Sequence, residues 1–189
     1  MSFNRFAFLA LLALQACQPP AADNYAERGQ PVDNAAQASD PLPSPDTKGA
    51  VWAAVSGQEK LLYGRPGMPP LFALACVDDA GSSAIRFTRY SPADEGAKAF
   101  MALIGNGHVG RFKVDATPVG EASLWQGETP ITDDRLEVLT GRNAVEATIP
   151  GAGSIKLNAS GLPGQMIEAC RAEARSVLNA KAIPLEDRE

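Results

Sequence analysis

Few side chains in this 189-residue chain can do chemistry, and their spacing narrows what that chemistry could be. His108 is the sole histidine. A Ser-His-Asp device needs a serine and an acid brought to it, and the sequence has no Gly-x-Ser-x-Gly elbow. A zinc site needs Cys or carboxylate partners at characteristic spacing, and none is visible. Gly105-Asn106-Gly107-His108-Val109-Gly110 spells Gly-x-Gly-x-x-Gly, but dinucleotide binding requires that turn to open a helix whose amides meet a pyrophosphate. Here a strand pattern follows, and Asn-Gly is a favoured tight-turn pair, so a hairpin turn and no cofactor are expected. Asp78-Asp79 and Asp133-Asp134 are adjacent acids, whereas glycosidic chemistry needs carboxyls about 5–10 Å apart across a cleft. They read as caps or solvated turns. Trp52 and Trp125 read as packing, and Asn158-Ala159-Ser160 is a sequon by pattern only. Arg86, Arg89, Arg111 and Lys113 form a candidate ligand-facing basic stripe if their strands pair. No catalytic set emerges, no metal site is expected, and no Cys-x-x-Cys links Cys17, Cys76 and Cys170.

Short strands must position these residues. Val51–Val55 and Leu61–Tyr63 flank a Ser56-Gly57-Gln58 turn and read as a hairpin. Leu71–Val77 follows a Pro/Gly loop, and Ala84–Tyr90 alternates apolar with polar or basic residues, the period-2 mark of a strand. Ser91-Pro92-Ala93-Asp94 predicts one turn of helix at most, with Ser91 as N-cap, before a strand over 99–104. In Val109–Ala116 the set Gly110, Phe112, Val114 and Ala116 is expected to face the core, with Val109, Arg111, Lys113 and Asp115 on the other face. Val119–Trp125 is a further strand, and Ile131–Gly141 predicts a helical insert of about two turns. Ala144–Ile149 and Ser154–Ala159 flank Pro150-Gly151-Ala152-Gly153 as the clearest hairpin. A helix over Pro163–Asn179 closes the chain, with Met166, Ile167, Cys170, Ala174, Val177 and Leu178 near helical spacing. The fold class is mainly β: an antiparallel, sandwich-like sheet domain with a short helical insert and a C-terminal helix.

The N-terminus adds an address. Arg5 precedes the uncharged run Phe6–Leu14 and a small residue ahead of Cys17, the layout of an export signal. The run falls short of the roughly 20 apolar residues that span a bilayer. Leu14-Gln15-Ala16-Cys17 resembles a bacterial lipobox, with Gln15 departing from the usual small or β-branched residue. The resemblance implies a signal peptide over 1–16, diacylglyceryl transfer to the Cys17 thiol, and acylation of the new amine. Several acyl chains then anchor the protein to a membrane. Gln18 after the cysteine favours the outer membrane by the enterobacterial sorting rule. Residues 17–49, rich in Pro, Ala, Asp and Ser, read as a disordered linker of about 30–100 Å reach. One globular domain is expected over 50–180 and a flexible tail over 181–189.

In an oxidising compartment, the two cysteines left after lipidation favour pairing, Cys76 with Cys170; separate buried thiols are the competing reading. The chain is 45% hydrophobic and 21% charged, an ordinary globular composition. Its formal charge of −5, with no Lys/Arg cluster, lacks the electrostatic footprint of a nucleic-acid binder. The elements Ala75-Cys76, Gly105-Asn106-Gly107, Phe112-Lys113-Val114-Asp115, Leu124-Trp125 and Gly161–Cys170 resemble uncharacterised exported lipoproteins of Gram-negative bacteria. Strand-rich segments ending in a Gly-led helix are similar, more faintly, to the periplasmic invasion-associated locus B group. The resemblance implies a periplasm-facing location and a non-catalytic role. The favoured function is an envelope module, membrane-anchored through its N-terminal lipid, whose sheet face binds a protein or envelope polymer. The alternative is a periplasmic hydrolase acting on cell-wall material.

Overall fold

The computed structural model describes residues 39–79 and 82–182. Cys17, the segment 1–16 read as a signal peptide and the first part of the Pro-rich segment lie outside the described residues, as do residues 183–189 of the segment read as a tail. The described chain is mainly β and antiparallel, as the alternation predicts. Nine strands run in the order β1 (Val51–Ala54), β2 (Lys60–Gly64), β3 (Phe72–Asp79), β4 (Ser82–Pro92), β5 (Lys98–Gly105), β6 (His108–Val119), β7 (Ala122–Pro130), β8 (Val145–Ile149) and β9 (Gly153–Leu157). A 3-10 turn over Asp134–Leu136 leads into α1 (Glu137–Thr140), and α2 (Leu162–Ala182) ends the described chain.

The strands form one sheet rather than two facing layers, in the spatial order β1-β2-β3-β4-β7-β6-β5-β8-β9. Strands β5, β6 and β7 are joined as successive hairpins, and β7 returns beside β4, a Greek-key path. The sheet curls until it is nearly closed into a barrel. At the seam, the Tyr63 hydroxyl on β2 donates to the Lys156 carbonyl on β9 (2.7 Å) and accepts from the Asn158 N–H (3.0 Å). These bonds occupy backbone groups that an open edge would leave exposed.

Inward-facing apolar residues fill the barrel. Along β6, Gly110, Phe112 and Val114 are buried while Val109, Arg111, Lys113 and Asp115 are exposed, as the period-2 pattern predicts. Phe87 and Phe112 stack with ring centroids 4.8 Å apart, and Trp52 lies 5.2 Å from Tyr63. Gly127 on β7 is required by a close approach, because a Cβ there would fall on the Lys113 carbonyl oxygen. Helix α2 starts where the Ser160 hydroxyl accepts the Leu162 N–H (3.2 Å), with Pro163 in the first turn, where a missing N–H costs least. Ile167 and Cys170, one turn apart on one face, are buried against the barrel.

Three local expectations change. The segment Ser91–Asp94 forms no helical turn: β4 continues to Pro92 and the chain reverses through Asp94–Ala97, with Gly96 at φ 72°. Val177 and Leu178 are exposed, because only the first half of α2 rests on the sheet. The last residues of the Pro-rich segment, read as linker, lie on the barrel. The Ser39 N–H and hydroxyl donate to the Asp94 carboxylate (2.9 and 2.6 Å), and the Leu42 N–H donates to the Gly151 carbonyl (2.8 Å). Asn158 Nδ2 donates to the carbonyls of Thr47 and Ala50 (3.2 and 2.9 Å). Pro41, Pro43 and Pro45 hold this strap extended, which leaves its remaining polar groups free to bond turns.

Candidate functional site

The four members of the basic stripe do not share a face. Arg86 points outward from β4 and its Nε donates to Glu128 on β7 (2.7 Å), so its charge is matched locally. Arg89 has the parity of Ile85 and Phe87, and therefore turns inward. It is only 4% exposed, with Nη1 donating to the carbonyls of Leu71 (3.1 Å) and Tyr90 (3.3 Å) and Nη2 to that of Ala152 (3.4 Å). Burial alone lowers its pKa to about 10. Arg111 and Lys113 do stand outward together on β6, as predicted.

Those two cations border an apolar surface that sequence reasoning missed. Phe100 and Ile104 on β5 and Val109 on β6 are 57%, 52% and 61% exposed. The β5–β6 register sets Ile104 opposite Val109, Ala102 opposite Arg111, Phe100 opposite Lys113 and Lys98 opposite Asp115. Directly opposed side chains lie about 5 Å apart at Cβ, so these residues make one continuous patch. A shallow cavity of about 430 Å³ opens on it, lined by Lys98, Ala99, Phe100, Lys113 and Asp115. The missing signal has a simple origin: β5 is apolar on both faces, and alternation cannot say which face is wet.

His108 is exposed in the β5–β6 turn and makes no side-chain hydrogen bond among the described residues. The turn places Asn106 at φ 51° and Gly107 at φ 79°, the left-handed pair of a tight hairpin, and no helix follows. Asn106 also works at a distance. Its Nδ2 donates to the Val138 carbonyl (2.9 Å) and its Oδ1 accepts the Asn143 N–H (2.9 Å), tying α1 to the turn. Asp133 caps the 3-10 turn and binds Arg135; that guanidinium, first among several donors, holds its carboxyl well below the usual carboxylate range. Asp134 does not share this pairing among the described residues, so the two adjacent acids have different surroundings.

The Cys76 and Cys170 sulfurs lie at bonding distance, with Cα atoms 5.9 Å apart, joining β3 to α2. Glu59 and Glu173 lie beside them, the ligand atoms of Glu59, Cys76 and Glu173 within 4.8 Å of one another. A sulfur spent in a disulfide is no thiolate ligand, and the two carboxyls face each other. Burial first, then the Glu173 carboxyl, raises the Glu59 pKa. No family model, curated protein or solved structure matches the chain.

Proposed function

We propose that this chain is a lipid-anchored envelope module, facing the periplasm, that binds a protein or envelope polymer through the outer β5–β6 face without catalysing a reaction. The observation carrying this reading is the contiguous exposure of Phe100, Ile104 and Val109 beside Lys98, Arg111 and Lys113. An aromatic anchor among aliphatic side chains, rimmed by long cations, has the makeup of a binding hot spot. The patch stands on two paired strands, so it is preorganised and loses little entropy when it is covered.

Attachment at Cys17, with the outer membrane favoured, supplies location rather than chemistry. Mass spectrometry of the mature N-terminus tests it: an acylated Cys17 is expected, and an intact leader or a different first residue refutes anchoring. A photo-crosslinking residue at Phe100, with a second at exposed Glu121 as control, tests the face in intact cells. One reproducible adduct at position 100, abolished by Ile104→Ser, is expected. Equal or absent adducts at both positions refute the binding reading.

A further inference from the structure

The disulfide joining β3 to α2 has two carboxylates set against it, and this cluster is independent of the outer face. Its layout is two pairs from two elements. The Cys76 N–H donates to the Glu59 carbonyl (2.9 Å), which fixes Glu59 beside Cys76 on the sheet. Cys170 and Glu173 stand three residues apart on α2, the spacing that puts two side chains on one helix face. The ligand atoms of Glu59, Cys76 and Glu173 fall within 4.8 Å of one another, and Cys170 is bonded to Cys76. A covalent staple needs no carboxylates. Both glutamates are exposed and, among the described residues, neither forms an ion pair, so two like charges converge on the sulfurs without a paired cation.

Two cysteines and two carboxylates make a tetrahedral donor set once the sulfurs are free. Thiolates bind zinc at about 2.3 Å and carboxylate oxygens at about 2.0–2.2 Å, so neighbouring donors stand about 3.3–3.8 Å apart. An approach of about 1 Å by two exposed, flexible glutamates supplies that spacing. The sulfurs must part from bonding contact to about 3.8 Å, which Cα atoms 5.9 Å apart allow by side-chain rotation. Two cavities of about 290 and 300 Å³ adjoin the cluster, both lined by Glu59 and Cys76 and the second also by Cys170, so a cation has space to enter. Lys60 lines both cavities, a positive charge beside four ligands that outweigh a divalent metal.

We propose that Glu59, Cys76, Cys170 and Glu173 form a zinc site when the disulfide is reduced, so that a metal takes over the tie between β3 and α2. A dithiol reductant gives two electrons and two protons to the Sγ–Sγ bond, which breaks into two thiols while the dithiol becomes a disulfide. Zinc then displaces both thiol protons to solvent and takes one oxygen from each carboxylate. Oxidation of the two thiolates reforms the bond and releases the metal. In the oxidised chain only the two carboxylates are left as donors, and they do not make a zinc site by themselves.

The test uses the full chain in detergent, with Cys17→Ser so that two thiols at most can appear. It is reduced with a phosphine, desalted without oxygen and titrated with Zn²⁺ against a colorimetric chelator, beside an oxidised sample. One zinc per reduced chain is expected, with both thiols protected from alkylation, and none per oxidised chain. Co²⁺ in its place is expected to give sulfur-to-metal charge-transfer absorption and the intense visible bands of a tetrahedral site. Zinc at a hundredfold excess over its Kd is expected to raise the Tm of the reduced protein by about 5–10 °C. Glu59→Gln and Glu173→Gln change only exposed carboxylates and are each expected to weaken zinc about tenfold or more, since even outer partners of a ligand are worth that much. Equal zinc binding by oxidised and reduced protein overturns the proposal, as does a reduced protein that takes up none. Unchanged affinity in both glutamine variants overturns it too, because the thiols then bind zinc without the carboxylates.

Discussion

Reduction of the Cys76–Cys170 pair is the perturbation whose size the fold fixes most directly. The two residues are 94 apart in sequence. On the chain-entropy account, closing a loop of that length removes about 4.7 kcal/mol of freedom from the unfolded chain. Reduction leaves both sulfurs in place, so no cavity is created and the loop term is the main loss. For a body of this size each kcal/mol moves Tm by about 2–4 °C, so the reduced protein is expected to melt roughly 10–18 °C lower. The assay is a pair of thermal scans with and without a phosphine reductant, each sample alkylated and weighed to count free thiols. A urea series adds a second check: the reduced chain unfolds to a more expanded ensemble, so its m value is expected to rise. A Tm change under about 3 °C with both thiols alkylated refutes the reasoning, because it leaves less than a third of the loop term.

Asp133→Ala removes the cap on the 3-10 turn together with the bonds to Arg135 and Thr129, and is expected to cost about 1–2 kcal/mol by urea unfolding at neutral pH. Because the folded-state pKa of Asp133 is depressed, its contribution is complete above the unfolded value near ~4 and fades as pH falls through the folded value. The gap between wild type and variant is therefore expected to shrink in strong acid, and a gap that widens contradicts the assignment. Tyr63→Phe breaks the seam between β2 and β9 and is expected to cost about 1–3 kcal/mol, with faster hydrogen exchange at the Asn158 amide. Gly127→Ala drives a Cβ onto the Lys113 carbonyl and is expected to destabilise by about 1–3 kcal/mol, measured by thermal melting.

Much of this architecture is legible in local pattern. The alternation of β6, the Asn106-Gly107 turn, the β8–β9 hairpin and the terminal helix all follow from short-range rules. Parity within β4 also held more than the grouping of basic residues took from it. Arg89 falls in step with Ile85 and Phe87 and Arg86 does not, so the two arginines cannot face one ligand. Strand order was not legible, because the pairing of β4 with β7 and of β5 with β8 is decided by long-range packing. The outer patch stayed hidden because Phe100 and Ile104 alternate with equally apolar Met101 and Leu103. The distant ties of Asn106 required knowing that residues 138 and 143 return beside it.

The strand path sets an order of assembly. A chain made from its N-terminus completes β4 about forty residues before the strand that covers it, and β5 waits as long for β8. Until then both present open edges to whatever is nearby, which is where a nascent chain mispairs. Cys76 is made early and its partner is carried on the last helix, so the covalent tie can form only after every strand has been made. Chaperone dependence should therefore be concentrated in the interval between β4 and α2, and truncations that end inside it should aggregate rather than fold.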